Sequence, residues 1–125
     1  MIVEKEITRG QEIPEEYKDN LKVLLERLNK FAYYLDGSVG KHIPLIVTSG
    51  YRNPKHNAEI GGAKNSCHCK CMACDIYDRD GFLKDWIKRT ANILEICDLY
   101  MEHPEYTPRW IHLDIKKRQN RVFKP

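Results

Sequence analysis

The chain has no long apolar run. No stretch of it approaches the length of a membrane-spanning helix. Its first residues, Met1-Ile-Val-Glu-Lys-Glu-Ile-Thr-Arg9, are acidic and lack the apolar centre of a secretory signal, so the expectation is a protein made in the cytoplasm. Internal repeats and low-complexity segments are missing too. There is no helix-turn-helix pattern and no aromatic RNA-binding signature, so a net charge of +3 does not argue for a nucleic-acid partner. A second Cys-x-x-Cys to join Cys71 and Cys74 is also absent, which leaves a structural thiolate tetrahedron incomplete.

What is present fits one globular domain, residues 1–125. Hydrophobic residues make up 42% and charged residues 31%, ordinary values for a soluble fold with a modest core. Basic residues gather near the end (Lys116, Lys117, Arg118, Arg121, Lys124) and read as a solvated tail; the other reading is weak attraction to an anionic polymer. Of five cysteines, four lie between Cys67 and Cys74. In a reducing compartment these are thiols, and residues two apart on an extended strand are poorly placed to bridge.

Pro14-Glu15-Glu16 is a helix start, with proline in the first turn and acids at the positive end of the dipole. Leu21, Leu24, Leu25, Leu28, Phe31, Ala32 and Leu35 follow at helical spacing, and Asp36-Gly37 is expected to stop the run. Leu45 to Thr48 reads as a short buried strand leading into the turn-rich Ser49-Gly-Tyr-Arg52-Asn-Pro54. A loop from Gly61-Gly62 carries Ser66 and His68, and Lys70 to Tyr77 reads as a strand. A second helix is expected over roughly 82 to 96, with Phe82, Trp86, Thr90, Ile93 and Cys97 along one side. Leu99 to Glu102 and Trp110 to Ile115 are expected to form an antiparallel hairpin, with an edge strand within Arg121 to Pro125. This order predicts an α+β domain: a small antiparallel sheet packed against two main helices.

Chemistry concentrates in two places. Ser66-Cys-His68-Cys-Lys-Cys-Met-Ala73-Cys-Asp75 sets a histidine and an aspartate at a loop-to-strand junction, with six residues between them. Trp110-Ile-His112-Leu-Asp114 sets a second histidine in an apolar strand. Two histidines and one carboxylate are a ligand set for a catalytic zinc with a fourth position open to water. A carboxylate in an apolar strand needs a metal or cation partner in any case. Asp114 shares a strand face with His112, either as an acceptor that orients the imidazole or as a solvent-facing acid. The cysteine cluster leaves open a rival metal site, zinc or iron–sulfur.

Taken in order, Ser49-Gly-Tyr-Arg52, Asn57 with Gly61-Gly62-Ala63-Lys64, Ser66-x-His68 with Ala73-x-Asp75, and Trp110-x-His112 resemble peptidase family M15. That family includes D-Ala-D-Ala carboxypeptidases and phage endolysins. Leu99-Tyr-Met-Glu-His-Pro104 and Arg121-Val-Phe-Lys-Pro125 are similar to small phage-borne members. The resemblance runs from about residue 45 to the end. It implies the Hedgehog/D-Ala-D-Ala peptidase fold and one zinc per chain, held by His68, Asp75 and His112. It further implies a monomer acting on peptidoglycan stem peptides after release to the bacterial cell wall.

The same resemblance assigns roles. Arg52 corresponds to the arginine facing the scissile carbonyl, where a fixed guanidinium stabilises an oxyanion; it also reads as a tie for its loop. Tyr51 and Ser66 are expected to touch substrate, and Ser66 equally reads as a loop hydrogen-bonder. Cys71 stands where glycine is usual. The general base departs from the pattern: family members carry an acid three residues before the last histidine, and here that residue is Arg109. Glu102 takes its place, at the end of the strand paired with that of His112, much as the related Hedgehog domain carries its glutamate upstream. Glu105 is second, in a Pro-flanked loop. The missing acid keeps an alternative open, a zinc-containing cell-wall binding module without catalysis.

Overall fold

The leucine spacing becomes a long helix in the computed structural model, which describes all 125 residues. After a short first helix (α1, Glu4–Thr8), a 3₁₀ turn Glu15–Tyr17 follows Pro14 and runs into α2, Lys18–Val39. Leu21, Leu24, Leu28, Phe31, Ala32 and Leu35 are its buried face. Asp36-Gly37 does not stop the helix, contrary to expectation. It continues to Val39 and ends on Gly40 at φ 84, the left-handed cap that glycine adopts at no steric cost. Asp36 serves the loop instead, accepting the Ile43 N–H at 2.8 Å beside His42.

Five strands form one sheet: β1 (Val47–Ser49), β2 (Ala73–Tyr77), β3 (Tyr100–Glu102), β4 (Trp110–Asp114) and β5 (Val122–Phe123). Their order is β1-β2-β4-β3-β5. The hairpin of β3 and β4 is antiparallel as expected, with Tyr100 opposite Asp114. The edge strand β5 pairs parallel to β3, so the sheet is mixed at that edge rather than wholly antiparallel. The fold is α+β.

Two expected elements are redrawn. β2 begins at Ala73, not Lys70, because Cys67–Lys70 is a 3₁₀ turn ending on Cys71 at φ 56. The single helix over 82 to 96 is two, α4 (Phe82–Arg89) and α5 (Ile93–Cys97). Thr90 is extended and Asn92 sits at φ 60, a conformation asparagine tolerates better than most residues. The buried face of α4 is Leu83, Trp86 and Ile87, while Phe82 is exposed. Another short helix, α3 (Pro54–Glu59), is capped by the Asn53 side chain.

Strand alternation then sorts the sheet's faces. Cys74, Ile76, Ile111 and Leu113 are fully buried in the same core as Leu24, Leu28, Phe31 and Leu35. Phe31 meets Trp86 edge-to-face at 5.4 Å. Each such aliphatic or aromatic side chain contributes about 1.5–3 kcal/mol, and together they hold β2 and β4 in a fixed register. The opposite face of those strands carries the polar side chains.

Candidate metal centre

The five-residue pairing of β2 with β4 places Asp75 directly across from His112, on one face. His112 Nδ1 lies 2.9 Å from Asp75 Oδ1. His68 arrives from the turn before β2, its N–H held by the Ser66 hydroxyl at 3.2 Å and its carbonyl by the Arg52 N–H at 3.2 Å. His68 Nε2 then stands 3.3 Å from the same Asp75 oxygen. One ligand atom from each of the three residues falls within 4.8 Å of the others, and no other set of His, Cys, Asp or Glu side chains converges in this way.

The protonation of His68 shows what the arrangement lacks. Its Nδ1 sits 2.8 Å from the Gly50 carbonyl, which can only accept, so Nδ1 carries the proton. Nε2 is therefore a bare lone pair, buried without a hydrogen bond and aimed at a carboxylate oxygen. His68 is 2% exposed, so water does not compensate. A cation between these groups satisfies both. The second imidazole is prepared by Asp114, whose Oδ2 is 2.8 Å from His112 Nε2. Asp114 is fully buried, which decides against a solvent-facing acid; it orients the ring with Nδ1 toward Asp75.

Charge follows geometry. Burial alone would raise the Asp75 pKa, but the hydrogen bond from His112 and the closeness of both imidazoles outweigh it and hold the carboxyl well below its usual range. Burial alone would lower His112; its hydrogen bonds to Asp114 and Asp75 win and hold it at about 9 in the metal-free chain.

The family model described as Peptidase M15 matches residues 2–114, a span that contains all three side chains. The chain belongs to peptidase family M15. No curated protein sequence matches it. Membership makes this a peptidase, hence a hydrolase acting on a peptide-type substrate, in a family that is typically metal-dependent. No helix is long and apolar enough to cross a membrane.

Within this M15 domain the other expected residues fall as follows. Glu102 ends β3 on the site's side, where burial pushes its carboxyl up and His112, Asp75, Asp114 and His68 all lie within electrostatic reach. Glu105 is exposed in the 3₁₀ turn Pro104–Tyr106. Arg109 is exposed at the mouth of β4, its carbonyl accepting the Asp78 N–H at 2.8 Å. Arg52 donates through Nη1 to Asn57 Oδ1 at 3.0 Å, and its Nε is buried without a partner. Tyr51 is 5% exposed and, with Ser66 and Cys69, lines a cavity of about 300 Å³.

The cysteines do not build a rival site. All are free, no three converge, and burial raises the pKa of Cys67, Cys69, Cys71 and Cys74, Cys71 to about 11. Their positions, not their protonation, decide this: no cysteine sulfur joins two other ligand atoms close enough to share one ion.

The fold gives parts in the site to Gly50, Asn57 and Arg118, to which the sequence alone assigns no role. A Cβ on Gly50 would stand 2.3 Å from the Ile7 carbonyl oxygen, so only glycine lets α1 approach the residue whose carbonyl holds His68. Asn57, 4% exposed, fixes Arg52 and needs Gly62 beside it, where a Cβ would meet Asn57 Oδ1 at 2.0 Å. Arg118, expected in a solvated tail, is an ion-pair partner of Asp114 at 2.9 Å; nearby, Arg121 pairs with Asp98 at 2.9 Å. Gly50 and Gly62 stand within the Ser49–Arg52 and Asn57–Lys64 motifs, but their closeness to backbone or side chain belongs to tertiary structure.

Proposed function

We propose that this M15 peptidase is a zinc enzyme that hydrolyses peptidoglycan stem peptides next to a D-amino acid. The supporting observation is the convergence of His68 Nε2, Asp75 Oδ1 and His112 Nδ1, with the first left as a buried lone pair facing the second. Those atoms would hold one zinc per chain. When bound, zinc supplies Lewis acidity to the scissile carbonyl and to water.

The chain's own residues do the rest. Glu102, with its pKa raised by burial, takes a proton from the attacking water and returns it to the leaving amine. Arg52, held by Asn57 with its Nε free, stabilises the oxyanion. Tyr51 and Ser66 line a cavity that includes none of the three metal ligands, so their contact with substrate rests on the resemblance, while Ser66 fixes the turn of His68. The substrate class and a phage or prophage lytic role, with release to the cell wall by another factor, rest on the resemblance of the motifs to endolysins.

The test is release of amine from purified muropeptides by the zinc-loaded chain, abolished by chelation and restored by zinc. Zinc binding without turnover on any muropeptide would instead support the cell-wall binding module, for which Arg109 in the acid's usual place is the favouring observation.

A further inference from the structure

The family match ends at Asp114, yet the chain beyond it returns to the metal centre. Arg118 Nη2 donates to Asp114 Oδ2 at 2.9 Å, the same oxygen that meets His112 Nε2 at 2.8 Å. Arg118 Nε reaches the other carboxylate oxygen at 3.5 Å, and Nη2 also lies 3.6 Å from the Cys67 sulfur. The guanidinium is stacked on the Phe123 ring, 3.5 Å above its centroid. Phe123 in turn packs edge-on to the His112 imidazole at 6.0 Å. The loop closes: His112, Asp114, Arg118 and Phe123 each touch the next, and Phe123 touches His112.

Each contact has a physical purpose. Asp114 is fully buried, and such a carboxylate without a cation is costly. Arg118 removes that cost and, through its planar fork, fixes the plane of the carboxylate, which a lysine would not do. A fixed carboxylate holds the proton of His112 on Nε2, and that leaves Nδ1 as the atom that faces Asp75 and His68. Phe123 holds the guanidinium flat from the far side. It is itself placed by β5, where the Phe123 carbonyl accepts the His103 N–H at 2.7 Å.

We propose that Arg118, clamped between Asp114 and Phe123, is a positioning residue of the metal centre that fixes the tautomer and aim of His112. The inference rests on the metal reading of His68, Asp75 and His112.

The experiment compares wild type, R118M, D114N and the double variant by zinc competition against a chromophoric chelator, and follows the His112 Nε2–H signal by NMR in the zinc-loaded proteins. R118M is expected to weaken zinc roughly 10- to 100-fold, the range for residues that orient metal ligands, and to broaden or lose the Nε2–H signal by exchange with water. In the D114N background the same substitution is expected to change affinity by no more than about twofold, since the carboxylate it acts through is gone. A loss in R118M smaller than about tenfold, an unchanged Nε2–H signal, or a loss undiminished by D114N overturns the proposal. Should R118M not fold, R118K, which keeps the charge and stem without the fork, is read by the same measurements. Wild type failing to bind zinc at all would instead overturn the metal reading itself.

Discussion

His112 touches a carboxylate at each ring nitrogen, Asp75 at 2.9 Å and Asp114 at 2.8 Å, and in the metal-free chain it carries both protons to do so. Its pKa of about 9 lies above its ordinary 6.5. A raised pKa means stability present at low pH and lost as pH rises. The melting temperature of metal-free protein is therefore expected to be highest below pH 6.5 and to fall as pH approaches about 9, a trend absent in His112→Gln. Because zinc must replace a proton on Nδ1, titration calorimetry in buffers of different ionisation enthalpy near pH 7.5 should show about one proton released per zinc. His112→Ala should lose most of the zinc while Cys69→Ser and Cys71→Ser keep it; the reverse pattern would return the site to the cysteines. Glu102→Gln keeps shape and metal ligands but removes the proton acceptor, so muropeptide turnover should fall by roughly 100-fold or more with zinc content unchanged. Glu105→Gln, in an exposed turn, should be nearly silent, and an inactive Glu105 variant would transfer the base to that turn.

At the scale of elements, the turn that delivers His68 ends on a non-glycine residue in the left-handed region, Cys71 at φ 56. That conformation costs an L-residue roughly 1–2 kcal/mol, while the thiol is fully buried and packs in the core. Cys71→Ala removes the thiol and keeps the strain; Cys71→Gly removes the thiol and the strain together. The glycine variant is expected to be the more stable of the two by about 1 kcal/mol in urea titrations, against the usual order of these residues. The position also shows what a sequence can disclose. The motif shows that glycine is customary there, but the positive φ that favours it is set by the fold, and it is this turn that delays the strand from Lys70 to Ala73. Alternation along Trp110-Ile-His112-Leu-Asp114 was legible because a strand's period is local, and it placed His112 and Asp114 on one side correctly. The split of α4 from α5 was not legible: the apolar spacing continues through Thr90 and Asn92, and only the dihedrals of those residues break it. Arg118 was unreadable for another reason. Its partners are a buried acid four residues back and a ring five residues on, and nothing in a basic run tells a solvated lysine from an arginine folded inward.

At the scale of the whole molecule, metal and fold are coupled because His68 is held by Gly50, Gly50 lies against Ile7, and β5 closes the other flank. Zinc at about 100 times its dissociation constant should add about 2.7 kcal/mol to stability, which for a chain of this size is an upward shift of roughly 10 °C in melting temperature. A chelator should reverse it, and no shift would mean that the ligands do not hold metal in the folded state. Gly50→Ala tests the same coupling from a distance: it should lower both melting temperature and zinc affinity by forcing α1 off the residue that orients His68. The order of the pieces along the chain has a consequence for biosynthesis. The ligands come from the middle and the end, His68 and Asp75 first and His112 late, with the strand that packs beside His112 later still. Synthesis in that order exposes His68 and Asp75 before the strand that brings His112 exists, so the centre stays incomplete in a nascent chain until β4 and the Arg118–Phe123 stretch beside it have been made and can pair.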